Sequence, residues 1–202
     1  MNTLYFAARF DSSASDPFHC PQAAGEVAFA GRSNAGKSSA INTITRNGKL
    51  ARTSKTPGRT QLINHFALGN EFFLVDLPGY GYAQVSKEKQ KQWQAAMTRY
   101  LMSRQPLRGL VLVMDIRHPL TDADWSLIEL QQQGQSDLHI LLTKSDKVSR
   151  NQVSKALHGT QSELAKAGVE ATLQDFSALN KSGVDDAHAV LDNWLFDVPL
   201  AS

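Results

Sequence analysis

Cysteine is almost absent from this 202-residue sequence. Cys20 stands alone, which excludes an internal disulfide and a multi-cysteine metal site. Long apolar runs are missing too: nothing approaches the ~20 residues that a membrane-spanning helix needs. Neither sign of charge dominates. The 21 basic and 19 acidic residues leave a formal net charge of +2, which by itself names no partner. The first residues, MNTLYFAARFDSS, lack a basic start followed by an apolar block, so no secretory leader is expected. Internal repeats and low-complexity tracts are lacking as well. What remains, 42% hydrophobic and 20% charged, suits one globular domain with a full core. The expectation is a cytoplasmic monomer in a reducing compartment, with no membrane partner and an inert Cys20.

Residues 1–24 carry the loop signals SSASDP and CPQAAG and are expected to form a loosely ordered arm ahead of a domain over 25–202. From Glu26 the pattern becomes regular. VAFAG is a short buried strand ending in glycine, and KSSAINTITR is a helix. Residues 46–60 are polar and contain Pro57-Gly58, a long loop. LINHFAL and EFFLVD are strands joined by the hairpin pair Gly69-Asn70. KEKQKQWQAAMTRYLMSR is a helix whose Trp93, Met97, Tyr100 and Leu101 recur at helical spacing and belong to the core. The apolar strands GLVLVMD and LHILLT alternate with helices at TDADWSLIELQQQG and 149–166. A last strand, VEATLQDFSA, precedes a helix over 184–196. This order predicts an α/β fold: a three-layer α/β/α sandwich around a six-stranded, mostly parallel sheet with one antiparallel strand. Ligands of such sheets bind beyond the carboxyl ends of the strands.

The chemistry-bearing motifs all fall there. Gly31-Arg32-Ser33-Asn34-Ala35-Gly36-Lys37-Ser38 matches GxxxxGK[ST] in full, between a strand and a helix. In such a loop, backbone N–H groups cradle phosphates and the helix start adds its dipole. Lys37 would stabilise charge on the β- and γ-phosphates, and the Ser38 hydroxyl would ligate Mg²⁺. Asp76-Leu77-Pro78-Gly79 follows about 40 residues later: Asp76 can hold the metal through water and Gly79 can give an N–H to the γ-phosphate. Thr143-Lys144-Ser145-Asp146 closes another strand. A carboxylate at Asp146 accepts from guanine N1–H and the 2-amino group, donors that adenine lacks, and the Lys144 stem can lie along the base. Thr143 stands where most such motifs have Asn, and the shorter side chain is expected to weaken one tether. Phe176-Ser177-Ala178 can offer a backbone N–H to guanine O6. A second magnesium ligand is sought in KTPGRTQL, where Thr60 is favoured over Thr56 because it lies just before a strand.

Tyr80, after Gly79, cannot position a water as an amide or a carboxylate would. His65, His118 and His139 have no metal-ligand spacing and are expected to be satisfied polar groups. Trp93, Trp125 and Trp194 are expected to pack. Between Arg46 and Asn70 there are five basic residues and no acid, and Lys87, Lys89 and Lys91 follow on one helix. Each stretch reads either as a solvated face or as a surface for phosphates of a nucleotide or RNA.

GRSNAGKSS, ARTSKTPGRTQLIN, VDLPGYGYA, VMDIRHPL and LLTKSD together resemble the EngB (YihA/YsxC-like) family of bacterial GTP-binding proteins, over roughly residues 25–194. The resemblance implies a Ras-like fold, slow Mg-dependent GTP hydrolysis, and a switch role in assembling the large (50S) ribosomal subunit, with a need in cell division and septation. It makes Ser38 and Thr60 the magnesium ligands, and makes Gly58, Arg59, Thr60, Gln61 and Leu62 the GTP-responsive switch. It also raises K⁺ binding at Asn34, which would supply positive charge during hydrolysis. Two other readings stay open at this point: a GTP-binding module without hydrolysis, and a small P-loop phosphotransferase.

Overall fold

The computed structural model describes residues 3–51, 62–69, 71–80 and 87–199, the side chains of residues 87–90, 92 and 93 excepted. Within these residues seven strands form one sheet: β1 (Arg9–Ala14), β2 (Gly25–Gly31), β3 (Ile63–Leu68), β4 (Phe72–Asp76), β5 (Leu107–Asp115), β6 (Asp137–Thr143) and β7 (Thr172–Asp175). Their order is β1-β3-β4-β2-β5-β6-β7, and only β3 runs against its neighbours. The single antiparallel strand is as the hairpin signal requires. The sheet has seven strands rather than six, because the supposed loose arm supplies β1.

That arm is held by contacts that local composition does not reveal. β1 pairs antiparallel with β3, with Arg9 opposite Ala67 and Ala14 opposite Ile63. Tyr5, in a 3₁₀ turn at Thr3–Ala7, is fully buried, stacks on His188 with centroids 4.6 Å apart and donates to Asp192 at 2.8 Å. Farther along, fully buried Glu26 accepts from the Tyr100 hydroxyl at 2.8 Å and from the Arg104 guanidinium, which also donates to the Pro21 carbonyl. A buried carboxylate is tolerable only when paired and hydrogen-bonded, so this cluster fixes the end of the arm against β2.

Among the described residues five helices cover the sheet: α1 (Lys37–Ile44), α2 (Lys87–Ser103), α3 (Asp122–Gln131), α4 (Arg150–Lys166) and α5 (Val184–Phe196). The alternation of strand side chains assigns the layers. Ala28, Ala30, Leu110, Leu112, Ile140 and Leu142 pack with Met97 and Tyr100 of α2, Ile128 of α3 and Leu164 of α4. Val27, Phe29, Val111, Val113 and Leu141 pack with Ile41 of α1, Leu191 of α5 and Tyr5. Every residue of β2 is buried, as befits a strand with helices on both faces. Gly109 lets α5 approach: a Cβ there would drive into the Trp194 ring. Caps set helix starts: Thr121 and Asp124 form a reciprocal capping box on α3, and Ser149 with Gln152 does the same on α4. Among the described residues, no helix is long and apolar enough to cross a membrane.

Trp125 and Trp194 are partly buried and pack, as expected. His139 is satisfied: one ring nitrogen lies 2.7 Å from the Thr172 hydroxyl and the other 3.1 Å from Gln174 Oε1. His65 departs from expectation. It is fully buried, neither ring nitrogen has a hydrogen-bond partner, and Glu26 is 3.9 Å away. Burial pushes its pKa down, so it is neutral there. His118 is exposed. Half-buried Cys20 has its thiol pushed up to about 11 by burial, which suits an inert side chain.

Candidate functional site

Three neighbouring strands, β4, β2 and β5, with β6 beyond, end on one edge, and each feeds a loop that carries polar chemistry. Parallel pairing sets this alignment: Phe29 lies opposite Asp76, Gly31 opposite Val113, and Asp115 opposite Thr143.

The loop between β2 and α1 starts from a close approach of backbones. A Cβ on Gly31 would meet the Val113 carbonyl at 2.6 Å, so only glycine fits. The loop turns through left-handed conformations at Asn34 (φ 65) and Gly36 (φ 104). The latter is strained for any residue with a Cβ, and the added carbon would also lie 3.2 Å from Thr143 Oγ1. Gly36 is thus the αL residue that starts α1 and turns the helix amino terminus towards the site. Across the loop, the Ser33 amide donates to the Tyr80 carbonyl at 2.9 Å, which joins the phosphate-type loop to the Asp76–Gly79 turn. Lys37 and Asp76 form an ion pair, both side chains about nine-tenths buried. Ser38 sits in the first turn of α1, partly exposed. The site therefore gathers an ammonium, a carboxylate and a hydroxyl beside a bed of backbone amides. A carboxylate and a hydroxyl are hard oxygen donors of the kind Mg²⁺ takes, and Mg²⁺ typically completes its shell with water and substrate phosphate. Among the described residues no cluster of three or more His, Cys, Asp or Glu could hold a metal alone.

Tyr80 is 5% exposed and turned away from this edge. Its hydroxyl donates to Asp124 Oδ1 in α3 at 2.7 Å, and burial first, then Asp124, pushes the phenol pKa up. It is a neutral structural donor.

The loop after β6 is tied to the phosphate-type loop twice. Lys144 adopts φ 62 and sends its ammonium to the Asn34 carbonyl at 2.6 Å and to Asp115 Oδ2 at 2.9 Å. The buried Thr143 hydroxyl donates to the Ala35 carbonyl and lies 3.0 Å from the Met114 carbonyl. The expected weakening at Thr143 is therefore corrected as regards the loop: the shorter side chain reaches, because the register puts it beside Ala35. Asp146 is partly exposed and accepts from the Ser177 hydroxyl at 2.7 Å, with Lys147 at 3.2 Å. The Ser177 bond, with Lys147 beside it, holds the carboxyl below its ordinary range. It is an anion in place to receive N–H donors. Ser145 is anchored to the neighbouring turn by its amide, 3.2 Å from the Phe176 carbonyl. The amides of Phe176 and Ser177 donate inward, to Leu142 and Ser182, which leaves Ala178 as the one of the three whose N–H can face a base.

Asp115, at the end of β5, lies within VMDIRHPL but matches no motif spacing. An Asp closing an apolar strand between two motif-bearing strands was the available signal. Gly58, Arg59, Thr60, Gln61 and Thr56 lie outside the described residues, and Leu62 is exposed just before β3.

Comparison with known proteins places this geometry. The family model described as "50S ribosome-binding GTPase" matches residues 26–144. A protein of Methylobacillus flagellatus called "Probable GTP-binding protein EngB" is 49% identical over 97% of both chains. One of the same name from Coxiella burnetii is 50% identical over 96% of both. The fold is shared with a solved "probable GTP-binding protein engB", at TM-score 0.64 and 21% identity, covering 86% of this chain and all of that one. It is also shared with elongation factor SelB from Methanococcus maripaludis bound to the GTP analogue GppNHp, at TM-score 0.62 and 16% identity, covering 91% of this chain and 36% of that one.

Proposed function

Since the chain belongs to the EngB family of GTP-binding proteins and is a P-loop GTPase, we propose that its GTP cycle is a slow switch in assembly of the large ribosomal subunit. A phosphotransferase and a module without hydrolysis give way to this reading. The observation that carries it is the convergence of the 31–38 loop, the Asp76–Gly79 turn and the Thr143–Asp146 loop on one sheet edge, with Asp146 ionised and tied to Ser177.

In this reading the amides of residues 32–38 and the Lys37 ammonium receive the phosphates. Ser38, Thr60 and, through water, Asp76 would hold Mg²⁺, which would supply charge neutralisation for the β- and γ-phosphates. Asp146 accepts two N–H bonds from guanine, and Ala178 donates to its O6. The Gly79 amide follows the γ-phosphate, and 58–62 is the segment that answers to it. Tyr80 is committed to Asp124, so no side chain at that position orients water. Hydrolysis by the protein alone is accordingly slow, and charge stabilisation has to come from elsewhere. Asn34, exposed at φ 65, is the candidate ligand for K⁺ in that role. Hydrolysis several-fold faster in KCl than in NaCl supports it, and equal rates remove it.

The partner in this reading is the 50S subunit or a precursor. Exposed Lys49 and Lys91 offer phosphate contacts, whereas exposed Arg46 lies over the Phe6 ring at 4.2 Å and is partly committed to the arm. The cell-division and septation role follows, in this view, from ribosome supply in a cytoplasmic protein. Co-sedimentation with 50S particles that needs GTP and weakens with salt tests the proposal. Absence of binding in every nucleotide state contradicts it.

A further inference from the structure

Asp115 is held in a more elaborate setting than a strand end requires. Arg117 donates to it three times: from Nε at 2.9 Å and its backbone amide at 3.1 Å to Oδ1, and from the guanidinium tip at 2.6 Å to Oδ2. The residues on either side of Arg117 close the turn, with the Ile116 amide 3.0 Å from the Thr143 carbonyl and the His118 amide 2.9 Å from the Asp115 carbonyl. The carboxylate is therefore fixed in direction, and its Oδ2 points at the Lys144 ammonium, 2.9 Å away. The Arg117 bonds, with the one from Lys144, keep it well below the usual carboxylate range.

Lys144 has a long, freely rotating stem, and left unguided such a side chain costs rotamer entropy to place. Here its ammonium is caught between two fixed acceptors, Asp115 Oδ2 and the Asn34 carbonyl. That capture reaches from the end of β6 past the end of β5 to the phosphate-type loop after β2.

The geometry points to Asp115 as a positioning residue for guanine-nucleotide retention: clamped by Arg117, it holds Lys144 so that its stem forms one wall of the base pocket and its ammonium fastens the phosphate loop. Asp115 itself touches no nucleotide. This rests on the reading of Lys144 and Asp146 as base-contacting residues, and it adds a residue that motif matching alone passes over.

The test is release of a fluorescent GDP derivative from the full-length protein, chased with excess GDP, for wild type, Lys144→Ala, Asp115→Ala, Asp115→Asn and the Asp115→Ala/Lys144→Ala double variant. A hydrogen bond between charged groups commonly contributes enough that its loss speeds release about tenfold. Asp115→Ala is expected to show this. Asp115→Asn keeps an acceptor oxygen and should fall between wild type and Asp115→Ala. The double variant should release no more than about twofold faster than Lys144→Ala, because both changes remove one interaction. If Asp115→Ala fails to fold, faster release from Asp115→Asn carries the same conclusion. Two results overturn the inference while leaving the site reading intact: fast release from Lys144→Ala with wild-type release from the folded Asp115 variants, or effects that multiply in the double variant. Wild-type release from Lys144→Ala would instead overturn the reading of the base pocket itself.

Discussion

Replacing Tyr80 by Phe separates two roles that one position can have. In this structure the phenol is a buried donor to Asp124 Oδ1, 2.7 Å away, while Asp124 Oδ2 accepts from the Thr121 amide and hydroxyl at 2.8 and 2.7 Å. Removing the hydroxyl leaves one oxygen of a 1%-exposed carboxylate without its phenol partner while the cap of α3 stays in place. A bond to a charged, buried acceptor is worth about 1.5–3 kcal/mol, and roughly 2 kcal/mol is the expected loss. For a chain of this length that corresponds to a drop in Tm of about 4–8 °C. Calorimetry on both proteins measures it, alongside GTP turnover at saturating GTP. Turnover is expected to stay within about twofold, because the phenol faces α3 and not the phosphates. An unchanged Tm with turnover down tenfold or more would instead place the hydroxyl at the reacting water.

Other consequences follow from burial. Gly109→Ala forces a methyl into the Trp194 ring, and overpacking of this kind costs about 1–3 kcal/mol; an unchanged urea midpoint would show that α5 can move aside. Buried His65, His139 and His188 all have depressed pKa values because burial disfavours the imidazolium, His139 down to about 4. The unfolded chain therefore binds more protons below its ordinary imidazole value of 6.5, and stability falls as pH drops from 6.5 toward 4. His139 alone contributes about 2 kcal/mol of that loss by pH 5, so urea midpoints at pH 7.5 and pH 5 should differ clearly, and equal midpoints would contradict the neutral, buried assignment.

The parts of the molecule legible in sequence are those whose signal is local. The αL glycine, the lysine and the hydroxyl of the 31–38 loop are contiguous, and apolar runs ending in Asp76 or Thr143 show both the strand and its chemistry. β1 was hidden because it is an edge strand whose outward residues are exposed, so RFDSSA lacks alternation. Its partner lies far along the chain, as the bond from the Ser13 hydroxyl to Asn64 shows. The hold of Asp115 on Lys144 was hidden for the same reason: strand register, not spacing, brings them together. Thr143 shows the opposite failure. Residue type alone suggested a lost tether, and only the backbone path of the neighbouring loop reveals that a hydroxyl suffices to reach Ala35.

The central claim is that this edge of the sheet reads guanine through Asp146. Titration calorimetry of GDP and ADP against the wild-type protein and Asp146→Ala tests it directly. Wild type is expected to prefer GDP by about a thousandfold or more, because adenine lacks the N1–H and 2-amino donors that the carboxylate accepts, and Asp146→Ala is expected to erase most of the preference. Comparable affinities for GDP and ADP in the wild type, or a preference untouched in Asp146→Ala, would contradict it.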